Sequence, residues 1–244
     1  MTARPLIQPV IGILGGASNV ATEHYYRKIN QLANQRLGGW DIAETLIAGM
    51  NFGNIEYCIR HNQWQILQDY VGGHLARLAA ARVDLVICAS NTLHRFLPPL
   101  LAQHPLPFLH IADPTAAAIK ARGLDRIALF GTAPIMQMSY MRERYEQVFG
   151  IQIVVPSEQE IAEIDRIIFD QLVKDQVLAE SRKRYLQIAE RLRNEQGAQG
   201  LIMGCTEIAM LISQADQPDL PMFDTTALHC AAAVDWVSRE LPAA

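Results

Sequence analysis

Leu85-Val86-Ile87-Cys88-Ala89-Ser90-Asn91-Thr92 and Leu201-Ile202-Met203-Gly204-Cys205-Thr206-Glu207 are built alike. Each is an apolar run that stops at a small nucleophilic or hydroxyl residue and continues into a threonine-bearing polar step. Short apolar runs bounded in this way read as buried strands. In an open α/β sheet, chemistry sits just beyond the carboxyl ends of the strands. Two such junctions in one chain predict a site between two half-related lobes, one facing each side of a substrate.

Working outward, strand-like runs at 10–14, 45–50, 85–88, 108–111, 126–130, 151–155 and 200–203 alternate with helical patterns. The helices are expected over 21–37, 64–81, 115–121, 160–173, 179–195 and from Thr226 to about Glu240. Strands separated by helices of about ten or more residues indicate βαβ units and parallel sheets. The expected class is α/β, with two similar lobes, each a mainly parallel sheet flanked by helices, and the active site in the cleft between them. A boundary is expected at Asp113-Pro114-Thr115, with a return in the polar, proline-bearing stretch 213–221. The first lobe is then 1–114 plus 215–244 and the second 115–214.

Composition narrows the function. At 244 residues with half of them apolar, the chain is long enough for a substantial core. A formal charge of −4 gives no basic footprint for nucleic acid. No run reaches the roughly 18 apolar residues that a membrane helix needs. The opening Met1-Thr2-Ala3-Arg4-Pro5 has no apolar signal core, so a cytoplasmic protein is expected. Cys58, Cys88, Cys205 and Cys230 are widely spaced and form no zinc-type cluster, so no metal is expected. Cys58, Cys88 and Cys230 read as packing residues.

Three polar steps carry candidate chemistry. Gly15-Gly16-Ala17-Ser18-Asn19 lacks the glycine spacing of a nucleotide loop. It reads either as a plain tight turn or as a backbone that approaches a small ligand closely, with Ser18 donating to it. Ser90-Asn91-Thr92 reads either as a helix cap or as a cradle for a carboxylate. Cys205-Thr206-Glu207 offers a thiol, whose pKa a helix N-terminus or a nearby cation would lower into the range of a useful base. Ser90 is far too weak an acid to match it unaided. His94 and His110 lie close by and read first as scaffold residues.

The two junctions resemble the aspartate/glutamate racemase family, whose pattern is Cys-Asn-Thr at the first and Gly-Cys-Thr-Glu at the second. Here the second is intact and Ser90 stands in the first. The likeness extends over Ile11-Gly12-Ile13-Leu14-Gly15-Gly16, Phe130-Gly131-Thr132, and Phe223-Asp224-Thr225 with His229. The chain is similar to the broad-specificity branch that lacks the first cysteine. The resemblance implies racemisation of an amino acid, aspartate or glutamate foremost, without a cofactor and by a homodimer. It makes Cys205 the thiolate base acting on the L enantiomer and puts Ser90 on the opposite face. It implies that Ser18, Asn51, Asn91, Thr92, Thr132, Thr206 and Glu207 hold the substrate, with His229 supporting the Cys205 side. Arg60 becomes the side-chain anchor, while the lysine of acidic-substrate relatives falls at Val173, beside Lys174. Two alternatives stay open: a single-cysteine decarboxylase or cis-trans isomerase of the same superfamily, and a binding protein with an impaired site.

Overall fold

A computed structural model describes residues 8–239. The opening pentapeptide and Glu240 therefore lie outside the described residues. In chain order the elements are β1 (Val10–Gly15), α1 (Asn19–Leu37), β2 (Glu44–Gly49), α2 (Phe52–Arg60), α3 (Trp64–Ala80) and β3 (Leu85–Cys88). A 3₁₀ turn (Thr92–Phe96) leads into α4 (Leu97–Gln103), α5 (Ala112–Ala121), β4 (Arg126–Phe130), α6 (Ala133–Gln137) and α7 (Ser139–Glu143). Then come β5 (Gln152–Val154), α8 (Glu158–Asp170), α9 (Ala179–Gln196), β6 (Leu201–Met203), α10 (Ile208–Leu211), β7 (Met222–Asp224) and α11 (Thr225–Arg239).

The chain divides into two units by its contacts. Among the described residues, the first holds those up to Ala89, Phe96–His110, and those from His229 to Arg239. Its three parallel strands run in the order β2-β1-β3. Ile11, Ile13 and Leu14 in the central strand are fully buried, as expected where helices cover both faces of a parallel sheet. Ile11, Ile13, Leu85 and Ile87 form a core with Tyr25 and Ile29 of α1 and with Cys230, Ala233 and Val234 of α11. Only one bridge, Val86 to Phe108, remains of the strand expected at 108–111. The Ile111 amide is taken by His94 Nε2, and α5 begins at Ala112, so the ladder ends after two bonds.

The second unit holds Ser90–Arg95 and Ile111–Leu228. Its four parallel strands run β5-β4-β6-β7. Alternation splits the sheet's side chains between two cores. Ala128, Phe130, Leu201 and Met203 meet Ile164, Ile168, Tyr185 and Ile188 of α8 and α9. Ile127, Leu129, Ile202 and Phe223 meet Ala116 and Ile119 of α5 with Tyr145. Residues 215–228, expected with the first lobe, group with the second because β7 extends its sheet beside β6. Ser90–Arg95 groups there too, although it follows directly from β3 of the first unit.

Candidate functional site

The two polar steps identified in the sequence fall in the same unit. β6 ends at Met203, and Gly204 passes so close to β4 that an added Cβ would lie 2.8 Å from the carbonyl oxygen of Phe130. The Gly204 amide donates to that oxygen at 2.7 Å. Glycine at this position lets Cys205 emerge directly from the strand end. Cys205 is half-buried, whereas Thr206 and Glu207 are buried.

The Glu207 carboxylate gathers both neighbours. The Cys205 thiol donates to its Oε2 at 3.0 Å, and the Thr206 hydroxyl donates to the same atom. Burial pushes the Cys205 thiol well above its ordinary range; the adjacent Glu207 charge and hydrogen bond add to this, and Asp165 adds a smaller repulsion. The expected lowering by a helix N-terminus is not what this geometry produces. Only the four-residue α10 follows, with Glu207 at its cap position, and the nearest charge is negative. Burial and the Glu207 carboxylate thus favour the neutral thiol at Cys205.

The Ser90-Asn91-Thr92 step is clamped from several sides. The His94 ring takes a single tautomer, because a carbonyl only accepts and an amide only donates. Its Nδ1–H donates to Ser90 O at 2.7 Å, and its Nε2 accepts from the Ile111 amide at 3.2 Å. His94 is thus a scaffold residue. The Tyr140 phenol donates to Asn91 O at 2.5 Å. Asn91 Nδ2 donates to Thr225 Oγ1 at 3.3 Å, and the Thr92 and Thr132 hydroxyls lie 3.1 Å apart. Thr132 opens α6, and the next amide, that of Ala133, donates to Asp165 at 2.7 Å. The structure therefore brings Ser90, Asn91, Thr92, Thr132, Cys205, Thr206 and Glu207 into one unit. Asp165, Tyr140 and Thr225 were not among the expected site residues. Asp165 and Tyr140 sit within helices without a local motif to mark them. Thr225 was visible only as part of the Phe223-Asp224-Thr225 likeness.

The other expected residues lie in the first unit. Ser18 is buried and caps α1, its Oγ accepting from the Ala21 amide at 3.1 Å. Gly16 has φ +88°, and an added Cβ would strike the Met50 backbone at 2.0 Å, so only glycine makes this turn. Asn51 caps α2 through Gly53. Arg60 ends that helix, exposed, with Nε on Glu56 at 2.9 Å. His229 is fully buried. Its Nε2–H donates to Leu109 O at 3.0 Å, so Nδ1 accepts from the Tyr25 hydroxyl at 3.0 Å. Burial holds its pKa down to about 4 against the partial support of the Leu109 carbonyl. His229 is neutral, with both nitrogens committed to the scaffold. Val173 packs against the core of the second unit, and Lys174 is exposed. Cys58, Cys88 and Cys230 are buried, as expected of packing residues.

Among the described residues no group of three or more His, Cys, Asp or Glu is placed to hold a metal ion. No described helix is long and apolar enough to cross a membrane.

Two parallel-sheet units, with a cysteine and hydroxyl steps at strand carboxyl ends, define an α/β protein of the two-lobed racemase type. The chain belongs to the Asp/Glu/hydantoin racemase family, whose pattern it matches over residues 11–233. It is 34% identical to a candidate Asp/Glu racemase from Yersinia pestis, with 94% of this chain and 99% of that chain covered at a TM-score of 0.86. An aspartate racemase homologue from Pyrococcus horikoshii OT3 is 26% identical, covering 94% and 99% at a TM-score of 0.81. Glutamate racemase isoform RacE1 from Bacillus anthracis, 17% identical over 95% and 82%, shares the fold at a TM-score of 0.65.

Proposed function

We propose that this protein racemises an amino acid, aspartate or glutamate foremost, without a cofactor, using Cys205 as the base that works on the L enantiomer. The observation that carries this reading is the thiol–carboxylate contact at Cys205 and Glu207. Abstracting an α-proton next to a carboxylate needs a base that becomes competent only with substrate in place. A thiol that burial and Glu207 hold neutral, and whose thiolate the substrate ammonium stabilises once the proton has left to solvent, meets that need. Ser90 occupies the other face and passes a solvent-derived proton to the α-carbon, while the proton taken up by Cys205 leaves to solvent. Asn91, Thr92, Thr132 and Thr206 hold the α-carboxylate and ammonium, since their hydroxyls and amide are short, polar and held by neighbouring groups.

Assigning Ser18, Asn51, Arg60 and His229 to the substrate rests on the resemblance. His229, with both nitrogens engaged, then acts by positioning Tyr25 and Leu109. Arg60→Ala tests the anchor: it should raise KM for aspartate or glutamate about ten- to a hundredfold and spare neutral amino acids. Equal losses on both would remove Arg60 from side-chain recognition. A free working thiol favours a reducing, cytoplasmic setting.

The test of the main reading is a screen of single L-amino acids in deuterium oxide. Loss of the α-proton signal, together with appearance of the D enantiomer, identifies the substrate. A protein that turns over none of the twenty standard amino acids is not this racemase.

A further inference from the structure

Thr225 is fully buried at the start of α11 and bonds to the Ser90-Asn91-Thr92 step and to the end of β6. Its Oγ1 donates to the carbonyl of Met203 at 2.8 Å, two residues before Cys205. The same oxygen accepts from Asn91 Nδ2 at 3.3 Å. A hydroxyl has one proton, and here it is spent on the carbonyl. Toward Asn91 it can only accept, so the amide must turn its NH₂ to Thr225 and its Oδ1 elsewhere. The Tyr140 phenol fixes the backbone of the same residue at 2.5 Å.

We infer that Thr225 is a positioning residue: it sets which way the Asn91 amide points and ties the Ser90-Asn91-Thr92 step to the strand that delivers Cys205. The inference rests on the racemase reading for its effect on turnover, but not for its effect on geometry. It explains why Ser90–Arg95 groups with the second unit although it continues β3 of the first. A side chain that orders two reacting groups affects turnover more than affinity, because a misplacement of about 1 Å can cost roughly a hundredfold in rate.

The test compares Thr225→Ser, which keeps the hydroxyl, with Thr225→Val, which keeps the shape and loses both bonds. Thr225→Ser should retain kcat within about twofold. Thr225→Val should lower kcat about ten- to a hundredfold in both directions, with KM changed less. A merely structural role would not give this split between the two variants at matched thermal midpoints. Should the valine variant fail to fold, Thr225→Cys carries the same comparison, since its sulfur is a weak donor and acceptor. Equal kcat in the serine and valine variants overturns the inference. A neutron crystal structure of the valine variant, in which amide oxygen and nitrogen are distinguished, provides the readout independent of substrate. An Asn91 amide that has turned supports the inference even if no amino acid is racemised. An unmoved amide overturns it even if racemisation is confirmed.

Discussion

At Cys205 the environment sets the sign of the pH dependence. Burial first, and then the Glu207 charge, hold the thiol above its usual range, so the neutral form prevails at pH 7. Only the thiolate is a base, so kcat/KM, which reports the free enzyme, should still be climbing above pH 8.5, near the ordinary thiol value. Glu207→Gln removes the adjacent negative charge. It should shift the pH midpoint for alkylation of Cys205 downward, read by mass spectrometry of the Cys205 peptide, while lowering kcat. An unmoved midpoint would show that Glu207 does not act on the thiol. Cys205→Ser should abolish turnover and leave the fold intact, and Cys58→Ser should leave activity nearly unchanged. More than a few per cent residual activity in Cys205→Ser would dismiss Cys205 as the base. Ser90 poses the opposite case. The two enantiomers have equal free energy, so kcat/KM must be the same in both directions whatever stands there. Ser90→Cys should raise both values together, by about a hundredfold if it supplies a full acid–base group. A fall in both would mean that Ser90 already has an activating partner.

At the scale of elements, the part of α11 from His229 onward is held in the first unit by a buried neutral histidine. His229 takes the Tyr25 hydroxyl on one nitrogen and gives its proton to Leu109 O with the other. Its folded pKa of about 4 lies below the unfolded value of about 6.5. The unfolded chain therefore binds the extra proton first as pH falls. The stability contributed by neutral His229 is complete above about pH 6.5 and is lost as pH drops toward 4, by up to about 3 kcal/mol. The thermal midpoint should fall between pH 7 and pH 5, and His229→Gln should flatten that slope, by calorimetry. An equal slope in the variant would place the loss on other groups. The element-level expectations that failed did so for local reasons. The strand at 108–111 shrank to one bridge because the Ile111 amide is taken by His94 Nε2 and α5 begins at Ala112. The stretch around Cys58 and Arg60 reads as helical, but the helix start at Phe52 goes unread because its cap is a lone Asn51 close after β2.

At the scale of the whole molecule, the first unit exposes several large apolar side chains. β2 is an edge strand whose Leu46 and Ile47 are both exposed, and Tyr26, Trp40 and Ile42 of the same unit are exposed with them. Alternate residues of a strand point to opposite faces, so each face of this edge exposes one large apolar side chain. We propose that a second copy of the chain covers it, which is the homodimer that the resemblance implies. Sedimentation should give a mass near twice 27.2 kDa. Ile47→Lys should produce monomers, because a charge at a pairing edge blocks association. A wild-type mass of a single chain would refute the dimer.

The sequence by itself determined the class of fold and the family, because parallel strands buried on both faces leave unbroken apolar runs and the polar steps that follow them stand out by contrast. It also marked Cys205, Thr206 and Glu207 as neighbours in the chain. What the thiol experiences was decided by tertiary structure. Burial and a carboxylate only two residues away raise its pKa, where a helix terminus had been expected to lower it. Tertiary structure also decided the company of Ser90-Asn91-Thr92. Thr132, Tyr140 and Thr225 are 40, 49 and 134 residues from their partners in that step. Contacts across such distances depend on how strands order in a sheet, and no periodicity in the chain records that order.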